Sequence, residues 1–387
     1  MPRKAAKGSD APPRLVYVLY GISAYVETFI RREIETLVRR GFDIRICCLH
    51  RPDEDARKEI RRLGWNVVSF PVSMRRASPS SEHLEAALVT WLAEQAMAHD
   101  AQLIHAHFSN FPATLARLAS HVSGIPYSVS AHATDIYMAN PNLGWNIEKA
   151  SLVVTCNRRN RAHLARRFPA LRSRIRYAYH GIDLRVYALP TKPRVRVRSK
   201  PLRLVVVSRL EPVKGVSPFL RACALLVRKG VSFRADIAGD GPARLDLERE
   251  AKALGLGRLV HFHGALPHER VRGLYLEADI VVQPSIVTPE GQFDNLPNVV
   301  LEAMALARPV IASRVGAIAE AIEDDLNGVL VPPNHPAKLA QAIAKLGADH
   351  ERAARLGAAA RITIEKRYDL ERSPVERLLR ATIAAQG

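Results

Sequence analysis

Two runs of alternating strand and helix patterns, separated by a basic stretch rich in proline, constrain this chain more than any other feature. In the first run, residues 15–20 read as a strand, 28–40 as an amphipathic helix ending at Gly41, and 43–48 as the next strand. Residues 84–99 are helical, 103–106 form a strand, and 112–123 form a helix closed by Gly124. Strands at 127–130 and 152–155 follow, then a basic helix from Arg158 and the stretch 175–179. Short β-branched runs alternating with helices of this length predict right-handed crossovers and a parallel sheet. Between Tyr187 and Pro201 stand Pro190, Pro193 and Pro201 among basic residues. Proline lacks a backbone donor and turns its predecessor away from helix, so a linker is expected there. The alternation then restarts, with strands at 204–208, 233–238, 260–262, 280–283, 310–312 and 328–331. Helices are expected at 216–228, 267–276, 297–307 and 335–346, and from the Gly239-Asp240-Gly241-Pro242 turn to Leu254. Each half reads as its own doubly wound α/β sheet. Such sheets bind ligands beyond the carboxyl ends of their strands, so a cleft between two of them is where chemistry is expected.

Bulk properties narrow the class. A chain of 387 residues is too long for one ordinary core, and two or three domains are expected. No apolar run approaches the roughly 20 residues that span a bilayer. Residues 1–13 are basic and rich in small side chains but lack the apolar core of a secretory signal. The four cysteines, Cys47, Cys48, Cys156 and Cys223, have no metal-ligand spacing, which fits free thiols in a reducing cytoplasm. The net charge of +19 is the unusual quantity, and it is concentrated. Residues 158–200 carry 14 Lys and Arg against one acid, Asp183. Such a field attracts polyanions. Aromatic residues are not interleaved with the cluster and no nucleic-acid motif is visible, so an anionic membrane surface or phosphate-bearing lipid is the expected partner, not nucleic acid, with a simple solvated surface as the competing reading. The expected location is the cytoplasm, peripheral at the inner face of the cell membrane.

Three places can carry chemistry. Arg209 and Lys214 lie between a strand and a helix, at the carboxyl edge of the second sheet. A guanidinium can grip phosphate oxygens in bidentate fashion, an ammonium adds a point charge, and a helix N-terminus adds N–H donors. The competing reading of Arg209 is an ion pair with Glu211. Next, the loop 284–297 carries Thr288, Glu290, Gly291 and Asp294 into a helix for which Pro297 suits the first position. Glu302 then stands inside an otherwise apolar helix, among Val299, Val300, Leu301, Ala303 and Met304. A carboxylate there must be paired or hydrogen-bonded, either by sugar or ribose hydroxyls or by backbone N–H groups of a neighbouring turn. Finally, His132 ends a strand and is read either as a site residue or as a partner of Asp135.

Residues 294–302 read Asp-Asn-Leu-Pro-Asn-Val-Val-Leu-Glu, followed by Ala-Met-Ala. This closely resembles the acidic signature of the family 4 retaining glycosyltransferases, Glu, seven residues, Glu. The order of the surrounding motifs agrees: Ser208-Arg209-Leu210 with Lys214-Gly215, Gly239-Asp240-Gly241-Pro242, and the stretch Pro309-Val310-Ile311-Ala312-Ser313 with Gly316. In the first half, Ser23 with Glu27-Thr28-Phe29-Ile30, His105-Ala106-His107-Phe108, the segment from Ala131 to Tyr137, and His180-Gly181-Ile182-Asp183 resemble members that build bacterial exopolysaccharides, the colanic-acid enzymes among them.

The resemblance implies the GT-B architecture, two Rossmann-like domains facing across a cleft. The expected division is an acceptor-side domain over 1–187, a linker over 188–201 and a nucleotide-sugar-binding domain over 202–364. A helical segment over 365–387 is expected to pack back on the first domain. The implied reaction is transfer of a hexosyl unit from a nucleoside-diphosphate sugar to an acceptor hydroxyl, with retention. The implied acceptor is a lipid-linked or free oligosaccharide. By the same resemblance Arg209 and Lys214 hold the donor diphosphate and Glu302 the ribose. Asp294, with the backbone N–H groups of Asn295 and Leu296, contacts the transferred sugar, and His132 faces it from the other domain. One departure stands out: the first acid is Asp294, with Glu290 nearby as a longer carboxylate. No cofactor and no metal are expected, since the phosphate-binding cations take a metal's place. The acidic runs at 53–55 and 323–325 are read as solvated loops. The His105 and His107 pair is read as scaffold, on the ground that alternate strand residues face opposite sides. A sugar-nucleotide epimerase, a phosphorylase and a non-enzymatic basic binding protein stand as the other readings.

Overall fold

The structure, a computed structural model, describes residues 11–22, 28–78, 80–191 and 201–386. Ser23 and Glu27 of the first-half motif, the basic tail 1–10 and residues 192–200 of the expected linker lie outside them. The chain forms two compact units. One ends at Tyr179 and is completed by the segment from Ser373; the other runs from His180 to Arg372.

The first unit holds seven parallel strands: β1 (Arg14–Leu19), β2 (Asp43–Cys48), β3 (Asn66–Ser69), β4 (Leu103–His107), β5 (Tyr127–Ala131), β6 (Leu152–Thr155) and β7 (Ile175–Tyr177). Their order is β3-β2-β1-β4-β5-β6-β7, so the winding reverses between β1 and β4. Strand periodicity is visible in the packing. Leu15 and Tyr17 of β1, with Leu103 and Leu152, pack on one side against Ile30, Ile34 and Leu37 of the helix Thr28–Arg39. Val16 and Val18, with Ile104 and Val129, pack on the other side against Trp91 and Leu92 of the helix Ser81–Ala98. Burial on both faces explains why these strands read as continuous apolar runs.

The helix Val375–Ala384 belongs to this unit. Val375 and Leu379 join the same apolar cluster as Leu15 and Ile44, Arg40 Nη1 meets Glu376 Oε2 at 2.6 Å, and the Arg380 guanidinium lies 4.4 Å from the Phe42 ring centre.

The second unit holds six parallel strands: β8 (Leu202–Val207), β9 (Phe233–Ala238), β10 (Val260–Gly264), β11 (Ile280–Gln283), β12 (Val310–Ser313) and β13 (Val329–Val331). Their order is β10-β9-β8-β11-β12-β13, and the reversal falls between β8 and β11. Leu204, Val206, Ile237 and Val282 pack with Phe219 and Leu226 of the helix Val216–Arg228. Residues 180–187, expected in the first domain, run with this unit. Ile182 N–H donates to Tyr368 O at 2.7 Å, Leu370 N–H donates to Ile182 O at 3.1 Å, and Tyr187 is fully buried.

Three local expectations are corrected. Pro297 is the residue that precedes the helix Asn298–Ala305, in extended conformation, and does not occupy its first turn. The acids at 53–55 are not a loop: Asp53 caps the helix Glu54–Leu63, accepting the Ala56 N–H at 2.7 Å, and Glu54 and Asp55 fill its first turn, where the helix dipole favours negative charge. His105 and His107 are two residues apart and therefore share a face of β4; their rings meet edge to face at 5.2 Å.

Candidate functional site

The reversal between β8 and β11 is the place where an open parallel sheet opens a crevice at its carboxyl edge. Two loops meet there. Pro212–Lys214 forms a single tight turn after β8, and Gly215 leads into the helix Val216–Arg228. Gly215 has φ +67°, and a Cβ on it would stand 1.9 Å from Pro284 O, so only glycine lets the turn lie against the strand end of β11. Ile286 N–H donates to Val213 O at 2.9 Å and fastens the two loops together.

This brings Lys214 to Asp294. Lys214 Nζ lies 2.8 Å from Asp294 Oδ2, with side chains 21 % and 12 % exposed. Ser285 Oγ donates to the same Oδ2 at 3.1 Å, and Gln283 Nε2 lies 3.4 Å from it and donates to Ser285 Oγ at 2.8 Å. Gln283 and Ser285 are fully buried. One carboxylate oxygen is thus held by three donors, while the ammonium keeps two further N–H bonds to offer. The far side of the loop is packed just as tightly. Gly316 has φ +57°, and a Cβ there would stand 2.1 Å from Asp294 O. Ala317 N–H donates to Asn295 O at 2.8 Å, which fixes the turn through Asn295 and Leu296 into the helix.

Glu290 is elsewhere. Val287 and Phe293 pair as an antiparallel bridge, so Glu290 rides the tip of a small hairpin whose base carries Asp294. Its own backbone N–H and the Thr288 hydroxyl lower its carboxyl pKa. Arg209 is 71 % exposed and its Nε lies 2.9 Å from Glu211 Oε1, the ion pair given above as the competing reading. Glu302 is 7 % exposed. Tyr275 Oη donates to its Oε2 at 3.4 Å, and His268 Nε2 stands 3.9 Å from Oε1. Tyr187 Oη in turn meets His268 Nε2 at 2.5 Å. Burial, and then the Glu302 charge, push the Tyr275 hydroxyl pKa well up, so it stays a donor.

In the first unit, His132 follows β5 and caps the short helix Ala133–Tyr137. Its backbone N–H donates to Asp135 Oδ1 at 2.7 Å, and the Ser109 hydroxyl donates to Asp135 Oδ2 at 2.6 Å. The contact with Asp135 is thus made through the His132 backbone. His132 Nε2 lies 3.3 Å from His107 Nδ1, and the His132 ring is flanked by Phe29 and Phe108 at 5.1 and 4.7 Å.

Known proteins carry the same pattern. Residues 26–186 match the model of Glycosyltransferase Family 4, and residues 191–363 match Glycosyl transferases group 1. The alpha-D-kanosaminyltransferase of Streptomyces kanamyceticus is 30 % identical over 271 residues, covering 64 % of this chain and 68 % of the relative. The chain belongs to the family 4 glycosyltransferases. Among its exopolysaccharide relatives is the putative colanic acid biosynthesis glycosyltransferase WcaL of Escherichia coli, 32 % identical over 174 residues, or 45 % of this chain and 42 % of WcaL. The solved structure of HepE from Anabaena in complex with UDP superposes with a TM-score of 0.77 at 20 % identity, covering 96 % of this chain and all of that one. Two parallel-sheet units with this likeness make the fold GT-B.

Within this glycosyltransferase, the structure brings together Lys214, Asp294 and the Asn295–Leu296 turn. Arg209, Glu290 and Glu302 make the contacts described above with other partners. Sequence reasoning missed Gln283, Ser285, Tyr275 and His268. A polar pair directly after the apolar run Ile280-Val281-Val282 was the available signal for the first two. Tyr275 and His268 carry no local signal, because their link to Glu302 is purely tertiary.

Proposed function

We propose that this glycosyltransferase moves a hexosyl unit from a nucleoside-diphosphate sugar to an acceptor hydroxyl, with retention, in the synthesis of an exopolysaccharide or other cell-surface glycan. The observation that carries the reading is the Lys214–Asp294 pair at the strand reversal, anchored from behind by Ser285 and Gln283. A cation with two N–H bonds to offer suits diphosphate oxygens, and a carboxylate whose other oxygen has no donor among the described residues suits sugar hydroxyls. Arg209 adds a second cation at the same strand end. The N–H groups of Asn295 and Leu296 serve the sugar, Glu302 the ribose, and His132 is the group that the first unit contributes. Relatives and neighbours fit such a donor. A GDP-mannose-dependent mannosyltransferase of Mycolicibacterium smegmatis is 26 % identical across 91 % of both chains, and HepE has been solved with UDP-glucose.

In the transfer, the bond from the anomeric carbon to the diphosphate oxygen breaks and a bond to the acceptor oxygen forms on the same face. The acceptor proton passes to the departing diphosphate, so no protein base is required. Lys214 and Arg209 stabilise the charge that develops on the leaving group, where preorganised donors act most strongly. Neither a metal nor another cofactor enters this scheme. The acceptor is a lipid-linked oligosaccharide or a related glycan. The exposed Arg158, Arg159, Arg166, Arg167, Arg172 and Arg176 of the first unit give an anionic membrane surface a place to bind. No helix among the described residues is long and apolar enough to cross a membrane. The test is acceptor-dependent transfer from a sugar nucleotide in the presence of a metal chelator. Undiminished turnover is expected; complete loss that a divalent ion restores contradicts the cation-only leaving-group scheme.

A further inference from the structure

The first unit carries a second polar cluster that the transfer scheme leaves unused. Tyr17 of β1, Glu33 of the helix Thr28–Arg39, and His105 and His107 of β4 meet on one side of the sheet, next to its own strand reversal. His105 is satisfied within the sheet: its Nδ1 lies 2.7 Å from Ser128 Oγ and its Nε2 3.0 Å from Ser130 Oγ. His107 is different. Its Nε2 lies 3.1 Å from Glu33 Oε1, and its Nδ1 lies 3.3 Å from His132 Nε2, with the two rings inclined by only 16°. Tyr17 Oη donates to the same Glu33 oxygen at 3.0 Å. The result is a line, Glu33–His107–His132, that starts in the interior and ends at the residue capping the helix Ala133–Tyr137, at the carboxyl edge of the sheet.

The chemistry of this line is directional. Burial works to raise the Glu33 carboxyl pKa, but His107, His105 and the Tyr17 hydroxyl together hold it down to about 2. Glu33 is therefore a carboxylate, which only accepts hydrogen bonds. An acceptor at this position fixes a proton on His107 Nε2. His107 then meets His132 through its other nitrogen, and a histidine's tautomer is set by the hydrogen bond its ring makes. The titratable groups around the line include Tyr17, His105 and Asp135, each engaged with the partners named above, and Cys156, whose Sγ lies within 4.8 Å of a His132 ring nitrogen.

We propose that Glu33 is a positioning residue that acts through His107 to fix which ring nitrogen of His132 carries its proton. His132 then meets the reacting sugar in one protonation pattern. A buried carboxylate that orients an imidazole through its far nitrogen is the logic of hydrolytic triads, applied here through one further ring. The inference rests on the reading of His132 as the first unit's reacting group.

The experiment uses full-length protein labelled with 15N-histidine, with ring nitrogens observed by long-range 1H–15N correlation. His132 is assigned from the signals lost in His132→Asn. Wild-type His132 is expected to give a single pair of ring shifts. Glu33→Gln should move that pair and lower kcat roughly 100-fold, the lower range for loss of one preorganised donor at the reacting sugar, with KM for the sugar nucleotide unchanged within about twofold. Should Glu33→Gln not fold, His107→Gln cuts the same line and carries the same readout. Unmoved His132 shifts, together with an inactive His132→Asn, overturn the relay alone. Wild-type turnover in His132→Asn overturns the reading of His132 itself and the catalytic consequence proposed for Glu33.

Discussion

The two units solve the same problem, a carboxylate beside cationic or proton-bearing groups at a strand reversal, in opposite ways. In the first, Glu33 is 14 % exposed and its histidine partner is wholly buried. In the second, Lys214 keeps about a fifth of its side chain in solvent. A buried network is fully committed to its internal partners, and breaking it leaves an uncompensated charge. An ammonium that keeps part of its side chain in solvent loses less when its partner changes, and water or a ligand can replace that partner. Under the proposed function the two have different duties: the first network holds a ring in place, and the second exchanges partners during turnover.

The largest expected effect belongs to the exchanging pair. Lys214→Ala is expected to lower kcat by roughly 100- to 1000-fold, the range seen when one preorganised charge-stabilising donor is lost. Glu302→Ala should cripple transfer as well. Melting curves of both variants are expected to stay near wild type, and near-normal turnover in both would break the assignment.

The buried network should reveal itself through acid instead. Burial first, and then the neighbouring His107, lower the His105 pKa from 6.5 to about 3. The unfolded chain therefore takes up a proton that the folded unit refuses, and stability falls as pH drops below about 6.5. Glu33 has the depressed carboxylate's sign: its contribution is full above about 4.5 and is lost as pH falls towards 2. From pH 6.5 to 4.5 the His105 effect amounts to about 2 kcal/mol. Trp65, Trp91 and Trp145 are the only tryptophans and all lie in the first unit, so urea unfolding followed by their fluorescence reads this unit alone. His105→Asn should flatten the profile in that window; an unchanged slope would show that His105 is not held neutral.

Smaller effects sharpen the second site. Ser285→Ala removes one neutral donor from Asp294, and a loss of about fivefold in kcat/KM is expected from a net hydrogen bond of about 1 kcal/mol. Glu290→Ala, at the exposed hairpin tip, should stay within about twofold. If the second loss exceeded the first, the longer acid would be the sugar ligand and Asp294 its support.

Much of the fold was legible because buried parallel strands are nearly continuous apolar runs. Residues 43–48, 152–155, 233–238 and 280–283 read as strands at their observed limits. The helix Glu54–Leu63 is hard to see in the sequence because its apolar stripe is only Ala56, Ile60 and Leu63 in an otherwise charged segment. The helix His350–Arg367 is hard to see as well, its alanine-rich face giving a weak contrast. Lys214 at a strand end, Asp294 in the acidic signature and Glu302 in an apolar helix stand out in the sequence. Their partners do not, since Lys214 and Asp294 are joined across 80 positions and Tyr275 reaches Glu302 only through packing. His105 and His107 share a face of β4, and the line from Glu33 to His132 is formed only by the fold.

The central claim is that the strand reversal of the second unit receives a nucleoside-diphosphate sugar. Its most direct test is a thermal-shift panel of uridine, guanosine and adenosine diphosphate sugars on wild type and Lys214→Ala. A ligand that binds only the folded protein raises the melting point by mass action. The account predicts a concentration-dependent rise with one base family for wild type, and a much smaller rise for Lys214→Ala. A flat response to every nucleotide sugar, or an equal rise in both proteins, would contradict it.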